Sequence, residues 1–347
     1  MDQFNVYKDM KARTNGEIYI GVVGPVRTGK STFIKRFMNL MVLPNIEDEN
    51  DRNRANDELP QSSSGKTIMT TEPKFVPNEA VSIKTEEGIE LNVRLIDCVG
   101  YMVEGATGHM EGEEERLVKT PWFDYEIPFT KAAAIGTKKV ITEHSTIGVV
   151  VTCDGSFGEI AAKQYEPAEE ETIKQLKALK KPFVVLLNTI HPYSESTKQL
   201  AAEKEEKYQT KVLPMNLEQM KKEDIYEIIK SVLMEFPISS IGFYVPRWTE
   251  MLKKDHPLKM ELLQMARDVI TEKTTMRDIY EEQEKEYEYI TGQKLESVAM
   301  DSGEVVITVK VGDVYYYEFL SETTGMEIRN EYEFIKIMGE LAKKKKE

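Results

Sequence analysis

The sequence predicts an α/β fold, a mostly parallel sheet with one antiparallel strand, followed by a smaller α+β domain. Three observations carry the prediction. A glycine-rich turn at residues 24–31 sits between an apolar run and a helical stretch. Apolar and amphipathic segments then alternate as far as residue 235, the order that builds a doubly wound parallel sheet. Near Phe236 and Pro237 the composition shifts to short strands around a long charged helical stretch. At 347 residues two domains are expected, at 1–237 and 238–347.

Residues 4–14 read as a short amphipathic helix, Glu17–Val23 as the first strand, and residues 31–41 as the helix after the turn. The turn itself, GPVRTGKS, matches the strand–GxxxxGK[ST]–helix pattern of a P-loop, whose backbone N–H groups wrap phosphate oxygens. Gly24 and Gly29 permit backbone angles and a close approach that a Cβ would forbid. The helix that follows aims its unpaired N–H groups at the anion. The candidate nucleotide-binding residues here are Gly24, Arg27, Thr28, Gly29, Lys30, Ser31 and Thr32. Lys30 is expected to reach the β- and γ-phosphates, and the Ser31 hydroxyl to ligand Mg²⁺.

Residues 45–66 are polar and read as a surface loop with some helix. Two apolar runs, 74–85 and 89–96, flank Glu86-Glu87-Gly88 as a hairpin and end in Asp97-Cys98-Val99-Gly100. A P-loop, then a hairpin, then DxxG is the order of small GTPase-like domains, whose second strand runs antiparallel to an otherwise parallel sheet. Asp97 then stands where a carboxylate holds the Mg²⁺ hydration shell, and Gly100 where a backbone N–H meets the γ-phosphate. Thr67, Thr70 and Thr71 precede the hairpin. Thr70 and Thr71, nearest the strand, are favoured over Thr67 as Mg²⁺ and γ-phosphate ligands; the alternative is β-propensity or turn hydroxyls.

Residues 101–144 form an insertion with an acidic patch (Glu111, Glu113, Glu114, Glu115) and an aromatic–proline cluster, turning helical over 132–143. Residues 146–152 and 182–187 are strands apolar enough for burial on both faces, with helices at 166–180, 194–208 and 217–235 and a short strand at 211–214. The second of these buried strands ends in Asn188-Thr189-Ile190-His191. A guanine site carries Asn-Lys-x-Asp there. With the lysine and the acidic acceptor missing, adenine is the expected base. Asn188 keeps a structural or a base-edge role. Tyr101 stands where small GTPases often place a water-orienting glutamine. Arg27 is a candidate to supply positive charge in cis, as an arginine finger does; the alternative is a side chain turned to solvent or to an acidic neighbour.

Beyond residue 237, strands are expected at 238–245, 295–300, 304–311 and 314–320, helices at 248–253, 257–289 and 331–343. The net charge of −14 excludes a general nucleic-acid binder, which needs basic patches. Cys98 and Cys153 lie in apolar strands and are expected as free thiols of a reducing cytoplasm. The N-terminus shows no signal-peptide pattern and no run of ~20 apolar residues occurs, so membrane association is expected to be peripheral.

Several segments together resemble the stage IV sporulation protein A family: GVVGPVRTGKSTFIK at 21–35, DELPQS at 57–62, GKTIMTTEPKFVP at 65–77, DCVGY at 97–101, EHSTIGVV at 143–150 and CDG at 153–155. The resemblance is dense to about residue 240. It implies a P-loop NTPase domain of the translation-factor GTPase-like type, an ATPase that uses ATP with Mg²⁺, with Lys30 binding nucleotide, Asp97 as the Walker B carboxylate and Thr70/Thr71 as γ-phosphate sensors. It also implies a homopolymer on the outer forespore surface in the mother-cell cytoplasm, as platform for the spore coat. The partners implied are coat and forespore-membrane-associated morphogenetic proteins, among them a small amphipathic membrane peptide. Family members continue into a C-terminal region that this chain, ending at Lys346-Glu347, is expected to lack.

Overall fold

The computed structural model describes residues 6–60, 72–84, 90–106, 108–111, 114–158, 160–281 and 285–344. These fall into two compact units, one ending at Pro237 and one starting at Ile238.

The first unit opens with α1 (Val6–Arg13), β1 (Glu17–Val23) and α2 (Lys30–Phe37). A π turn at Met38–Val42 and a 3₁₀ turn at Leu43–Asn45 lead to α3 (Glu49–Asp57), capped by Asp48 accepting from Asp51 N. Next come β2 (Lys74–Lys84) and β3 (Glu90–Asp97). Within the insertion, β4 (Met110–Glu111) pairs with β5 (Glu114–Glu115), and β6 (Leu117–Thr120) with β7 (Phe123–Pro128). The insertion is thus two small hairpins and a helix, α4 (Phe129–Lys139), which starts three residues earlier than its apolar pattern suggests because Phe129 is itself buried. Then follow β8 (Ile147–Cys153), α5 (Ala162–Ala178), β9 (Phe183–Asn188), α6 (Glu195–Tyr208), β10 (Val212–Met215) and α7 (Lys222–Met234).

The sheet order is β10-β9-β8-β1-β3-β2, with β2 antiparallel to β3 and every other pair parallel. This is the α/β architecture expected from the alternation. Every residue of β8 and β9 is buried, as continuous apolar runs covered by helices on both faces require. Val23, Ile96, Val150, Val185 and Leu187 share one core with Ile173 and Leu176 of α5. The consequence for function lies at one edge. In such a sheet the loops after β1, β3, β8, β9 and β10 emerge together at the carboxyl ends of the strands, where open α/β sheets bind ligands.

The second unit contains β11 (Ser240–Tyr244), α8 (Pro257–Glu272), β12 (Ile290–Ala299), β13 (Glu304–Val311), α9 (Asp313–Thr324) and α10 (Glu331–Lys344). Its sheet order is β11-β13-β12. Two expectations are corrected here. Residues 314–320, rich in aromatics and read as a strand, form α9, because Tyr316 and Phe319, three residues apart, both meet the Trp248 ring (5.6 and 5.5 Å), and a helix puts such a pair on one face. The long helix or helix pair expected over 257–289 is reduced to α8, which stops at Glu272, and a 3₁₀ turn at Asp278–Tyr280, since Lys273 turns extended and Asp278 accepts from the N–H groups of Thr274 and Thr275.

Among the described residues no helix is long and apolar enough to cross a membrane. Both cysteines are free and buried.

Candidate functional site

The loop after β1 is built from conformations that few residues adopt. Gly24 and Gly29 have φ of +127° and +101°, and Arg27 takes +60°. A Cβ on Gly24 would lie 2.4 Å from the Val151 carbonyl oxygen, and one on Gly29 would lie 2.6 Å from Asn188 Nδ2. Both positions therefore need glycine for reasons of space as well as angle. Thr28 is buried and its hydroxyl donates to Pro25 O (3.0 Å). Thr32, half-buried, lies in the first turn of α2.

Lys30 is only 5% exposed. Its ammonium donates to Pro25 O at 2.5 Å, with Gly24 O at 3.4 Å, so it lies curled under its own loop. Burial pushes its pKa below the usual lysine value, while Cys98 and Asp97 act in the opposite direction. Asp97 ends β3, and its Oδ2 accepts the Ser31 hydroxyl at 2.9 Å. Burial raises this carboxyl, with Lys30 and the Ser31 hydrogen bond opposing. Its other oxygen, Oδ1, is buried without a hydrogen-bond partner. Both groups lie at the carboxyl end of the sheet, the ammonium held by loop carbonyls and the carboxylate by the Ser31 hydroxyl.

Gly100 closes the centre from the β3 side. It has φ +93°, and a Cβ there would lie 2.1 Å from Gly24 O and 2.7 Å from Lys30 Nζ. Tyr101 O accepts the Val26 N–H at 3.0 Å, pinning the DxxG segment to the glycine-rich loop. The Tyr101 ring packs on the cluster of Val26, Cys153, Tyr165 and Ala168, and burial raises its phenol to about 12. Its side chain serves packing, so it does not replace the glutamine of small GTPases as a water-orienting group.

Asn188 joins the glycine-rich loop to the segment after β10. Its Nδ2 donates to Thr28 O (3.0 Å) and its Oδ1 accepts Leu217 N (3.3 Å), so the amide ties two loops together. Next to it, Thr189 Oγ1 donates to Asp154 Oδ2 at 2.5 Å, locking the loop after β8 to the loop after β9. Neither Leu217 nor this Asp154–Thr189 lock is foreseen from the sequence. The one available signal was position, since both lie at the carboxyl ends of parallel strands. Arg27 is exposed. It acts on Tyr165, whose phenol burial and Cys153 push up to about 12 while the Arg27 cation pulls it down. Thr67, Thr70 and Thr71 lie outside the described residues.

The residues fit a magnesium ion. The Ser31 hydroxyl and the Asp97 carboxylate are hard oxygen donors, and the unpartnered Oδ1 is an acceptor left for a cation or its water. No group of three or more His, Cys, Asp or Glu able to hold a metal occurs among the described residues. Mg²⁺ is usually bound by one or two protein oxygens completed by substrate phosphates and water.

The comparison with known proteins decides the family. The model of the stage IV sporulation protein A ATPase domain matches residues 1–237, and that of the middle domain of the same family matches residues 238–347. The chain belongs to the stage IV sporulation protein A family. Proteins of that name from Clostridioides difficile, Bacillus anthracis and Bacillus subtilis are 47%, 45% and 44% identical to it. The aligned regions span 99%, 99% and 100% of this chain and 70%, 70% and 71% of those proteins. The centre around Lys30, Ser31 and Asp97 thus lies in the family's ATPase domain, and the unit from Ile238 onward in its middle domain.

Proposed function

We propose that residues 1–237 form a P-loop ATPase converting ATP and water to ADP and phosphate, and that this turnover governs assembly of the chain into a scaffold. One observation carries the reading: the Ser31 hydroxyl, the half-satisfied Asp97 carboxylate and the buried Lys30 ammonium meet under a glycine-rich loop. Loop N–H groups of Gly24 and of residues 27–32 wrap the phosphates, and Lys30 exchanges the Pro25 carbonyl for the β- and γ-phosphate oxygens. Ser31, Asp97 and Thr70 would hold a magnesium ion, which would supply charge neutralisation at the phosphates. Gly100 presents its N–H to the terminal phosphate, and Thr70 and Thr71 close over it and orient the attacking water. Arg27 adds positive charge in cis. Catalysis is positioning and charge stabilisation, with no covalent intermediate.

Adenine is the preferred base, since the lysine and aspartate of a guanine site are replaced by Thr189 and His191 and the Asn188 amide is committed to the backbone. The relatives' name, stage IV sporulation protein A, supports a sporulation role. The scaffold is a homopolymer at the outer forespore surface, facing the mother-cell cytoplasm, on which coat proteins and membrane-associated morphogenetic proteins assemble. Its membrane contact is peripheral and nucleic acid is not a partner.

The test is the purified chain with labelled ATP or GTP and Mg²⁺, scored for phosphate release and for sedimentable polymer. ATP turnover that GTP does not outcompete, with polymer that requires ATP, is the expected result. GTP preference would make the protein a switch GTPase. Tight ATP retention without turnover would make it a structural protein stabilised by nucleotide.

A further inference from the structure

The sheet of the second unit is open on both sides. β13 is its centre, and β11 and β12 each present a row of backbone N–H and C=O groups with no strand beside it among the described residues. Such rows pair with other chains unless something blunts them. β11 carries no blunting device. Ser240-Ile241-Gly242-Phe243-Tyr244 holds no charge and no proline, and it pairs with β13 without a register shift. Its outer residues are exposed, Tyr244 at 64%. β12 carries Lys294, Glu296 and two register shifts, features that restrict which strand can join it.

The two edges are complementary in direction. β11 runs parallel to β13 and β12 antiparallel to it. A second copy set beside the first in the same orientation brings its β11 antiparallel to the first copy's β12, the more stable pairing. Side chains agree as well. Ile241 and Phe243 stand opposite Val305 and Ile307, and Leu295 opposite Ile307, so all three share the face on which Val305, Ile307 and Val309 are buried. In the continued sheet, Ile241 and Phe243 of the incoming strand lie on the same apolar face as Leu295.

We propose that β11 of one copy adds to β12 of the next, joining copies of this chain through a continuous sheet of the second unit. The two surfaces differ, so the contact is heterologous, and each added copy leaves one free β11 edge and one free β12 edge for the next. The inference rests on the self-assembly reading above and names the contact that builds the polymer.

Each edge offers a glycine that accepts a side chain. A Cβ on Gly242 would meet nothing nearer than 3.8 Å, one on Gly292 nothing within 4 Å, and neither glycine has a positive φ. Gly242→Lys therefore puts a charge on the uncharged β11 edge and Gly292→Lys adds a further one to the β12 edge beside Lys294, without backbone strain. Each variant is expected to need at least tenfold more protein to form sedimentable polymer with Mg²⁺·ATP, to keep its far-ultraviolet dichroism, and to cap growing wild-type polymer. An equimolar mixture of the two should give discrete dimers in analytical ultracentrifugation, because the Gly292→Lys copy still has its β11 and the Gly242→Lys copy its β12. Wild-type-like polymer from both folded variants overturns the edge pairing and leaves self-assembly standing. A wild-type chain that stays monomeric in every nucleotide state overturns both.

Discussion

Gly100→Ala probes the contact on which the site depends, the approach of the DxxG segment to the glycine-rich loop. At φ +93° an alanine is strained, by about 1–2 kcal/mol for a residue forced into left-handed backbone. Its Cβ would also sit 2.1 Å from Gly24 O and 2.7 Å from Lys30 Nζ, so the loop must move by more than an ångström. That movement breaks the Val26–Tyr101 hydrogen bond and disturbs the Lys30–Pro25 bond, at about 1 kcal/mol for the neutral bond and about 2 for the charged one. The sum is about 4 kcal/mol. Gly105→Ala is the control, since Gly105 has φ +86° and a Cβ there meets only the Gln164 side chain at 3.8 Å or beyond. It carries the strain alone, about 1–2 kcal/mol. The chain has two tryptophans, Trp122 in the first unit and Trp248 in the second. Urea unfolding followed by Trp122 fluorescence in a Trp248→Phe background therefore reports the first unit by itself. The reasoning is refuted if Gly100→Ala unfolds within 1 kcal/mol of Gly105→Ala, or if it binds ATP as the wild type does.

Three further outcomes are expected. Asn188→Ala leaves Thr28 O and Leu217 N buried without partners and should destabilise the first unit by about 3 kcal/mol, read by the same urea assay, with loss of ATP affinity as the loop loosens. Thr70→Ala/Thr71→Ala should retain ATP in a filter-binding assay and release phosphate at least a hundredfold more slowly; wild-type turnover would remove both residues from the mechanism. His144, packed edge-on against Phe75 at 5.2 Å, has its pKa lowered below the usual 6.5 by burial, with Lys139, Arg94 and Lys181 adding to the effect and Glu143 opposing it. The unfolded chain then binds the proton more readily than the folded one, so this contribution to stability is complete above pH 6.5 and is lost as pH falls through the lower folded-state value. His144→Gln should flatten the stability–pH curve of the first unit in that window, and an unchanged slope would exclude the group.

The elements that bear the site were legible because their signals are local. Continuous apolar runs demanded strands buried on both faces, and β8 and β9 are buried throughout. The glycines of the turn announced backbone angles that the loop does adopt. Misreadings arose where distant contacts overrode propensity. Val314 to Leu320 is an apolar, aromatic stretch that looks like a strand, yet the Trp248 ring, more than sixty residues earlier, meets it as a helix. Thr70 and Thr71 lie outside the described residues, so their placement in the site is still a reading of the sequence.

The sequence by itself determined that a glycine-rich turn, a strand-end carboxylate and an alternating α/β frame exist, because each depends on residues adjacent in the chain. Tertiary structure alone decided what those residues do to one another. Asn188 serves as a tie because its partners Thr28 and Leu217 lie 160 and 29 positions away, and Tyr101 turns into a core cluster that α5 completes. Burial then sets the charge behaviour of Lys30 and Asp97, and burial is a property of the packed fold that no local motif encodes.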